Sequence, residues 1–455
     1  MDRSRATGGS HAQGSTGGAG LKILIIGGTG EMGQWFATFF KKRGYEVWLS
    51  GRSGKMEVAE RLGVHFTADP DTVIPTCDIV IISVPINITP TIIAQTAPKM
   101  KKGSLLMDLT SLKKKPVEAM KKYVPENVEF LGTHPMFGPS IPSLQGQTFI
   151  LTPVEDRCEQ WFDHIFNLLS EEEASIEVIT PDEHDHFVSI VQGLTHFAYI
   201  TIGATMQKLD FDVKGSRRFM SPVYDIMLDF VGRILGQNPE LYALIQMENP
   251  EVIPVHDIFI EQCKHFSSMV RSHDTGQFCE EMKAAALHFG DTPSALRRSD
   301  KLINSKVAEF EELVHSTGHE KGLLHIYSRK IHVGIVKKVT SNSVTLEEGK
   351  KELQLKIGNI RILSADELNR WKENKLKPTL RDISVFIPHS ARPFTIQQIL
   401  DCRIDGVKVE TIDTYLHKRG PSATFRLNIR GDLDACEIHR EMEDLLEGMG
   451  CSLRK

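Results

Sequence analysis

None of the seven cysteines stands in a CxxC pair; Cys77, Cys158, Cys263, Cys279, Cys402, Cys436 and Cys451 are scattered along 455 residues. This argues against a zinc site or a disulfide framework and is what a reducing, cytoplasmic compartment permits. A basic excess is missing too: 54 Lys and Arg face 59 Asp and Glu, a formal charge of -5. No whole-chain field therefore attracts nucleic acid. No uninterrupted apolar run approaches the roughly 18 residues that span a bilayer, so no membrane segment is expected. There is no HExxH or comparable ligand spacing and no fixed-period repeat, so no metal site is expected. Residues 1–20, "MDRSRATGGSHAQGSTGGAG", lack the apolar core of a signal peptide and read as a disordered tail.

What the chain has is length, enough for about three domains. From Leu21, short apolar segments ("KILIIGG", "EVWLSG", "DIVIISVP", "SLLMDLT", "VEFLGT", "TFILTP", "SIEVIT") alternate with amphipathic ones. That alternation predicts a Rossmann-type α/β domain, a doubly wound parallel sheet buried on both faces, over residues 21–180. Residues 181–325 read as an all-helical domain, with "LTHFAYITIGATM" apolar on more faces than one sheet can cover. A small β module and Lys-rich linker follow at 326–380. Residues 381–455 run strand, helix, two strands, helix, which predicts a ferredoxin-like α+β domain.

The first chemical motif is Gly28-Thr29-Gly30-Glu31-Met32-Gly33, placed after the first strand and opening a helix. Its glycines let backbone amides and the helix N-terminus approach a pyrophosphate. The end of the second strand, where a carboxylate would bind the ribose of NAD, carries Ser50-Gly51-Arg52-Ser53 instead. Arg52 and Ser53 suit a 2′-phosphate, so NADP is favoured, with NAD possible.

The polar candidates come next. Ser111, in "DLTSLKK", follows a strand and reads as a helix N-cap, a substrate contact, or both. His134, in "GTHPMFGP", is expected on a loop at the same carboxyl edge of the sheet. His184 and Asp185 open the helical domain; His196 lies twelve residues after His184, about 120° around a helix, so the two histidines are not a metal pair. Arg233 interrupts the apolar stretch "DFVGRILG" and either snorkels or meets an anion.

Taken together, "IGGTGEMG", "DLTSLKK", "GTHPMFGP", "DEHDHFVSIVQGLTHF" and "GRILGQNPELY" resemble the prephenate dehydrogenase family of tyrosine biosynthesis, over residues 21 to about 290. The resemblance implies oxidative decarboxylation of prephenate to 4-hydroxyphenylpyruvate with hydride transfer to NAD(P), and a homodimer joined through the helical domain. It implies His134 as catalytic base, Ser111 as its partner on the substrate hydroxyl, and Arg233 and His196 as substrate-binding residues. A second histidine present in some members three places before His196 is here Gly193. Arogenate dehydrogenase is the nearest rival, since only one small substrate group differs. A deazaflavin-dependent oxidoreductase would leave "GTHPMFGP" and Arg233 unexplained. "VKVETIDTYLHKRGPSATFRLNIR" and the helix after it resemble the anticodon-binding domain of phenylalanyl-tRNA synthetase β chains, which makes RNA or an amino-acid effector a further candidate partner.

Overall fold

The computed structural model describes residues 20–51, 56–219, 221–418 and 420–454. The expected N-terminal tail lies almost wholly outside them. The chain divides into two compact units, with Gly290 ending the first and Asp291 beginning the second.

The first unit holds an eight-stranded sheet of β1 (Lys22–Ile26), β2 (Glu46–Ser50), β3 (His65–Thr67), β4 (Ile79–Ile82), β5 (Leu105–Asp108), β6 (Glu129–Pro135), β7 (Thr148–Thr152) and β8 (Ser175–Val178). Its order is β3-β2-β1-β4-β5-β6-β7-β8. Alternate residues of β1 feed two cores: Ile23 and Ile25 pack on one face, Leu24 and Ile26 on the other. The helices covering those faces are α1 (Glu31–Lys42), α2 (Met56–Leu62), α3 (Thr89–Thr96), α4 (Lys114–Tyr123) and α5 (Gln160–Glu171).

The sheet departs from the expected one twice. β3, three residues long, is too short to show a pattern in sequence. β7 pairs antiparallel to β6, and β8 parallel to β7, so the last two strands run against the rest. The segment between β6 and β7 contains no helix, and without a crossover element the chain returns antiparallel.

The helical part comprises α6 (Pro181–Val188), α7 (Thr195–Lys208), α8 (Val213–Ser216), α9 (Pro222–Leu235), α10 (Pro239–Glu248), α11 (Val252–Ser272) and α12 (Thr275–Phe289). α6 starts on a full capping box: the Thr180 hydroxyl takes the Glu183 amide, and the Glu183 carboxylate takes the Thr180 amide. A π-wound turn, Ser189–Leu194, joins α6 to α7, making one helix of 28 residues. An 18-residue window of it has a mean hydropathy of 1.3, enough by length and composition to cross a membrane. The expectation concerned uninterrupted apolar runs and stands: Gln192, Thr195 and His196 interrupt this helix, and its isoleucines, valines and Leu194 carry the mean. Within the chain α7 has no buried residue, and Phe187, Leu209, Phe219, Met247 and Leu287 are also exposed.

The second unit opens with α13 (Thr292–His315). A five-stranded antiparallel meander follows: β9 (Glu320–His325), β10 (Ile331–Val339), β11 (Ser343–Glu348), β12 (Lys351–Lys356) and β13 (Ile360–Ile362), the last returning to pair with β9. Its first strand thus precedes the boundary expected at 326. The Lys-rich stretch expected as a linker is α14 (Ala365–Lys375), begun by a Ser364–Glu367 capping box. β14 (Thr379–Phe386), α15 (Pro393–Asp401), β15 (Val407–His417), β16 (Gly420–Ile429), α16 (Ala435–Gly448) and β17 (Ser452–Leu453) complete the chain. Their sheet order, β15-β16-β14-β17, all antiparallel, is the ferredoxin-like arrangement.

Candidate active site

Gly28, Thr29 and Gly30 form the turn from β1, and Glu31, Met32 and Gly33 the first turn of α1. The demanding position is their neighbour Gly27, with φ +83° and room for no Cβ: one would stand 2.1 Å from the Ser83 carbonyl oxygen. The loops after β1 and β4 therefore touch where the strand order reverses, the place where open α/β sheets bind ligands. Gly30, the N-cap of α1, supplies no side-chain bond, so the first helical amides are left for an outside acceptor such as a phosphate. The Ser50 carbonyl accepts from the Gly27 and Gly28 amides at 2.8 and 3.0 Å, setting the end of β2 against this loop. Arg52 and Ser53 lie outside the described residues.

His134 is not on a loop. It is the next-to-last residue of β6, paired with Ile150 of β7, and it is buried. The added antiparallel strand puts it there: β7 extends the ladder past the point where a parallel edge would have ended. Its Nδ1 lies 2.8 Å from His184 Nε2, and His184 Nδ1 lies 2.7 Å from Asp185 Oδ1. A carboxylate only accepts, so His184 carries its proton on Nδ1 and presents Nε2 as an acceptor. His134 then carries its proton on Nδ1, and its Nε2 is unprotonated and accepts. Facing that atom is the Gln192 amide nitrogen at 3.4 Å.

Burial sets the charges. It pushes His134 well below 6.5, reinforced by His184 and the Lys113 cation. His184 is lowered by burial too, against the opposing pull of Asp185. Burial alone would raise Asp185, but bonds from His184 and from the Lys113 and Lys114 amides outweigh it and hold the carboxylate below its ordinary range. Those amides, at 2.8 and 3.0 Å, belong to the N-cap residue of α4 and to its first helical residue. Ser111 is therefore not the cap of that helix; Asp185, 72 residues from Lys113 in sequence, is. Ser111 stays half-buried beside Leu112, which packs with Ile86, Val188 and Ile245. Beneath it the fully buried Lys113 Nζ pairs with Asp108 and lies 3.2 Å from the Thr110 hydroxyl. Burial lowers the Lys113 amine and Asp108 opposes that shift.

A second group lies along the same long helix. His196, in the first turn of α7, is lowered by burial to about 4. Its Nδ1 is buried without a partner among the described residues, and its ring centroid is 4.5 Å from that of Tyr242. Arg233, expected within an apolar helix, is in the last turn of α9, exposed and with no ion pair among the described residues. Its charge opposes the burial that raises the Tyr242 phenol. Gln192 precedes His196 by four residues and so links the two groups. Gly193 faces Val252, where a Cβ would come within 2.8 Å of Cγ2; α11 occupies the space that a histidine would need. In sequence His184 and Asp185 mark only the opening of the helical domain, and Lys113, Gln192 and Tyr242 carry no assigned role. The adjacent His184-Asp185 pair is the signal the sequence offers for this relay.

Comparisons with known proteins bear on this arrangement. The family model described as "Prephenate dehydrogenase, nucleotide-binding domain" matches residues 36–178, and "Prephenate dehydrogenase, dimerization domain" matches 180–284. A Methanocaldococcus jannaschii protein named "Probable arogenate/prephenate dehydrogenase" is 39% identical over 94% of this chain and 98% of its own length. The chain belongs to the prephenate dehydrogenase family. The T-protein of Haemophilus influenzae is 30% identical over 62% of this chain and 71% of its own. Most of the second unit is therefore shared with the archaeal relative. A solved structure, prephenate dehydrogenase from A. aeolicus in complex with hydroxyphenyl propionate and NAD+, superposes with TM-score 0.50 at 21% identity, covering 59% of this chain and 96% of that one. This likeness extends to the fold.

In this family member Asp185 joins the histidine relay to the α4 cap. Asp185→Asn should lower stability by about 2–3 kcal/mol, the scale of a lost cap plus a mismatched buried hydrogen bond. Because the folded carboxylate is held below its ordinary 3.8, the wild-type advantage is full above that pH and is lost as pH falls through the folded value. Urea unfolding of both proteins at pH 7 and pH 3 checks it; equal stability at pH 7 would refute the role.

Proposed function

We propose that this chain is a prephenate dehydrogenase, converting prephenate to 4-hydroxyphenylpyruvate and carbon dioxide with hydride transfer to NADP. The observation that carries this reading is the relay ending in an unprotonated His134 Nε2. When bound, the nicotinamide accepts hydride from the hydroxyl-bearing ring carbon. His134 accepts the hydroxyl proton as the hydride departs, and the carboxylate on the opposite ring carbon leaves as carbon dioxide, which makes the ring aromatic. Aromatisation supplies the driving force, so the chain need only align the substrate and remove one proton. Ser111 orients the hydroxyl, Arg233 pairs with a substrate carboxylate, and His196 lines the pocket beside Tyr242. The glycine loop holds the pyrophosphate, and Arg52 and Ser53 hold the 2′-phosphate. Arogenate, with an amine in place of the keto oxygen, is the alternative substrate.

The same reading makes the protein a homodimer through its helical domain and places it in the cytoplasm, where seven free cysteines stay reduced. Phe219 is 83% exposed and Leu287 84%; a second copy is the natural cover for so much apolar surface. Light scattering at micromolar concentration should give twice the chain mass, and a monomer would remove the proposal.

The central test follows reduced-cofactor absorbance with prephenate and arogenate, each against NAD and NADP. His134→Asn should lower kcat by roughly 10²- to 10⁴-fold with KM nearly unchanged. Because burial lowers the His134 pKa, the acid limb of wild-type kcat/KM should fall below pH 6.5, where an ordinary histidine would titrate. Turnover in the variant within threefold of wild type would exclude His134 as the base.

Arg233→Ala should raise KM for prephenate by about 30-fold or more, the scale of a lost charge-assisted pair, with kcat little changed. An unchanged KM would show that the guanidinium does not touch substrate.

A further inference from the structure

The atom that would take the substrate's proton is covered. Gln192 sets its side-chain nitrogen 3.4 Å from His134 Nε2, while Nδ1 of the same ring is engaged by His184 at 2.8 Å. A hydroxyl that donates to Nε2 must bring its oxygen to about 2.8 Å along that one lone pair. The amide nitrogen stands there first, and two heavy atoms cannot share the lone pair at such separations. In the free protein the base is therefore closed, and a substrate hydroxyl reaches it only after the amide moves.

Helix winding puts Gln192 in this place. It follows His184 by eight residues, which in a regular α-helix is about 80° around the axis. Between them the chain is π-wound over Ser189–Leu194, where the Thr195 amide reaches back five residues to the Ile190 carbonyl. The wider turn holds back the rotation and returns Gln192 toward the face from which His184 meets His134. Single π turns recur at functional positions. The backbone of this one is fixed: Val188, Ser189 and Gly193 are buried, and Val252 of α11 fills the space beside Gly193.

The side chain on it is held loosely. Its bond to His134 is longer than the usual range, and its Oε1 is buried without a partner among the described residues. A buried acceptor left unbonded weakens the resting position, so little is lost when the amide swings away. We propose that Gln192 is a gate on the catalytic base: its amide occupies the His134 lone pair in the free protein and yields it to the substrate hydroxyl on binding. Gln192 acts through His134 and is a positioning residue.

The charged and titratable groups around His134 are His184 and Asp185 on α6, Lys113 at the head of α4, and Asp108 at the end of β5, which pairs with Lys113 and accepts from the Thr133 amide at 3.3 Å. A change at Gln192 removes none of them, so a shift in the base reads the gate. An N–H on Nε2 favours the neutral ring; its removal raises the pH at which His134 protonates, and a carboxylate in its place raises it further.

The inference rests on the dehydrogenase reading, and the experiment separates the two. The His134 ring is titrated by NMR in the free protein for wild type, Gln192→Leu and Gln192→Glu, with His134→Asn assigning its signal. The same three proteins are assayed with prephenate across pH, and calorimetry follows 4-hydroxyphenylpyruvate, whose phenol takes the place of the substrate hydroxyl. Gln192→Leu should move the His134 titration and the acid limb of kcat/KM upward by about half a pH unit or more, the scale of one weak hydrogen bond. The acid limb of kcat, set with substrate in place, should stay. Gln192→Glu, nearly isosteric, should move the titration further and carries this arm should the leucine variant not fold. In Gln192→Leu the KM for prephenate and the dissociation constant of 4-hydroxyphenylpyruvate should fall about two- to tenfold, since no amide has to be displaced; lost packing alone would raise both. A His134 titration that rises in neither variant, or a raised KM with weaker product binding in Gln192→Leu, overturns the gate. A wild type inactive on prephenate and arogenate overturns the dehydrogenase reading, and the NMR titration, which needs no substrate, still decides whether Gln192 covers the base.

Discussion

The carboxylate of Asp185 is bonded on three sides, and the site depends on that arrangement. One oxygen takes the His184 imidazole and the Lys113 amide, and the other takes the Lys114 amide. The residue's own carbonyl accepts from Asn249, between α10 and α11. A single side chain therefore caps a helix of the α/β part, fixes a tautomer on the helical part, and sits where three helices meet. Because an ionised carboxylate has no proton to give, the direction of every bond in the relay follows from it. The base at the far end is thereby preset in its unprotonated form, with its accepting lone pair on one known atom, which the Gln192 amide meets at 3.4 Å.

Burial has opposite effects along this chain of bonds. It lowers His134 and His184 and would raise Asp185, yet the amides of α4 hold that carboxylate ionised. The helix N-terminus supplies fixed partial positive charge that needs no counter-ion. Beneath the same loop Lys113 and Asp108 form a fully buried pair. An unpaired charge there would be far costlier than the pair itself, so the loop bearing Ser111 is braced from below. The π-wound turn belongs to the same design. It places Gln192 toward His134 and lets Gly193 accept the close approach of Val252, which a wider side chain would prevent.

The second unit is stiffened by charge of another kind. Lys372 of α14 bridges Glu320 of the meander and Asp432 of the ferredoxin-like part at 2.5 and 2.7 Å, and Arg430 also pairs with Asp432 at 2.7 Å. With its capping box, α14 is a strut and not a tether. In sequence it reads as a linker because the residues it exposes, Ala365, Asp366, Arg370, Glu373, Asn374 and Lys375, are ones a free linker would also carry.

Periodicity and glycine placement in the sequence determined the broad outline: the doubly wound sheet, the helical part after it, the β module, the ferredoxin-like end, and the turn at Gly28, Gly30 and Gly33. These are local properties, since strand and helix repeats and the glycines of a tight turn act within a few residues. The motif match placed His134, Ser111, Arg233 and His196 together in one family pattern, without their geometry. Tertiary structure decided the rest. The reversal of β7 and β8 depends on a missing crossover helix, and it put His134 inside a strand. The capping of α4 passed from Ser111 to Asp185 because a carboxylate from another helix reaches both orphan amides at once. The relay joins residues 50 positions apart, and no local pattern encodes such a distance. Which nitrogen of His134 is free was settled only when packing brought Asp185, His184 and His134 into line.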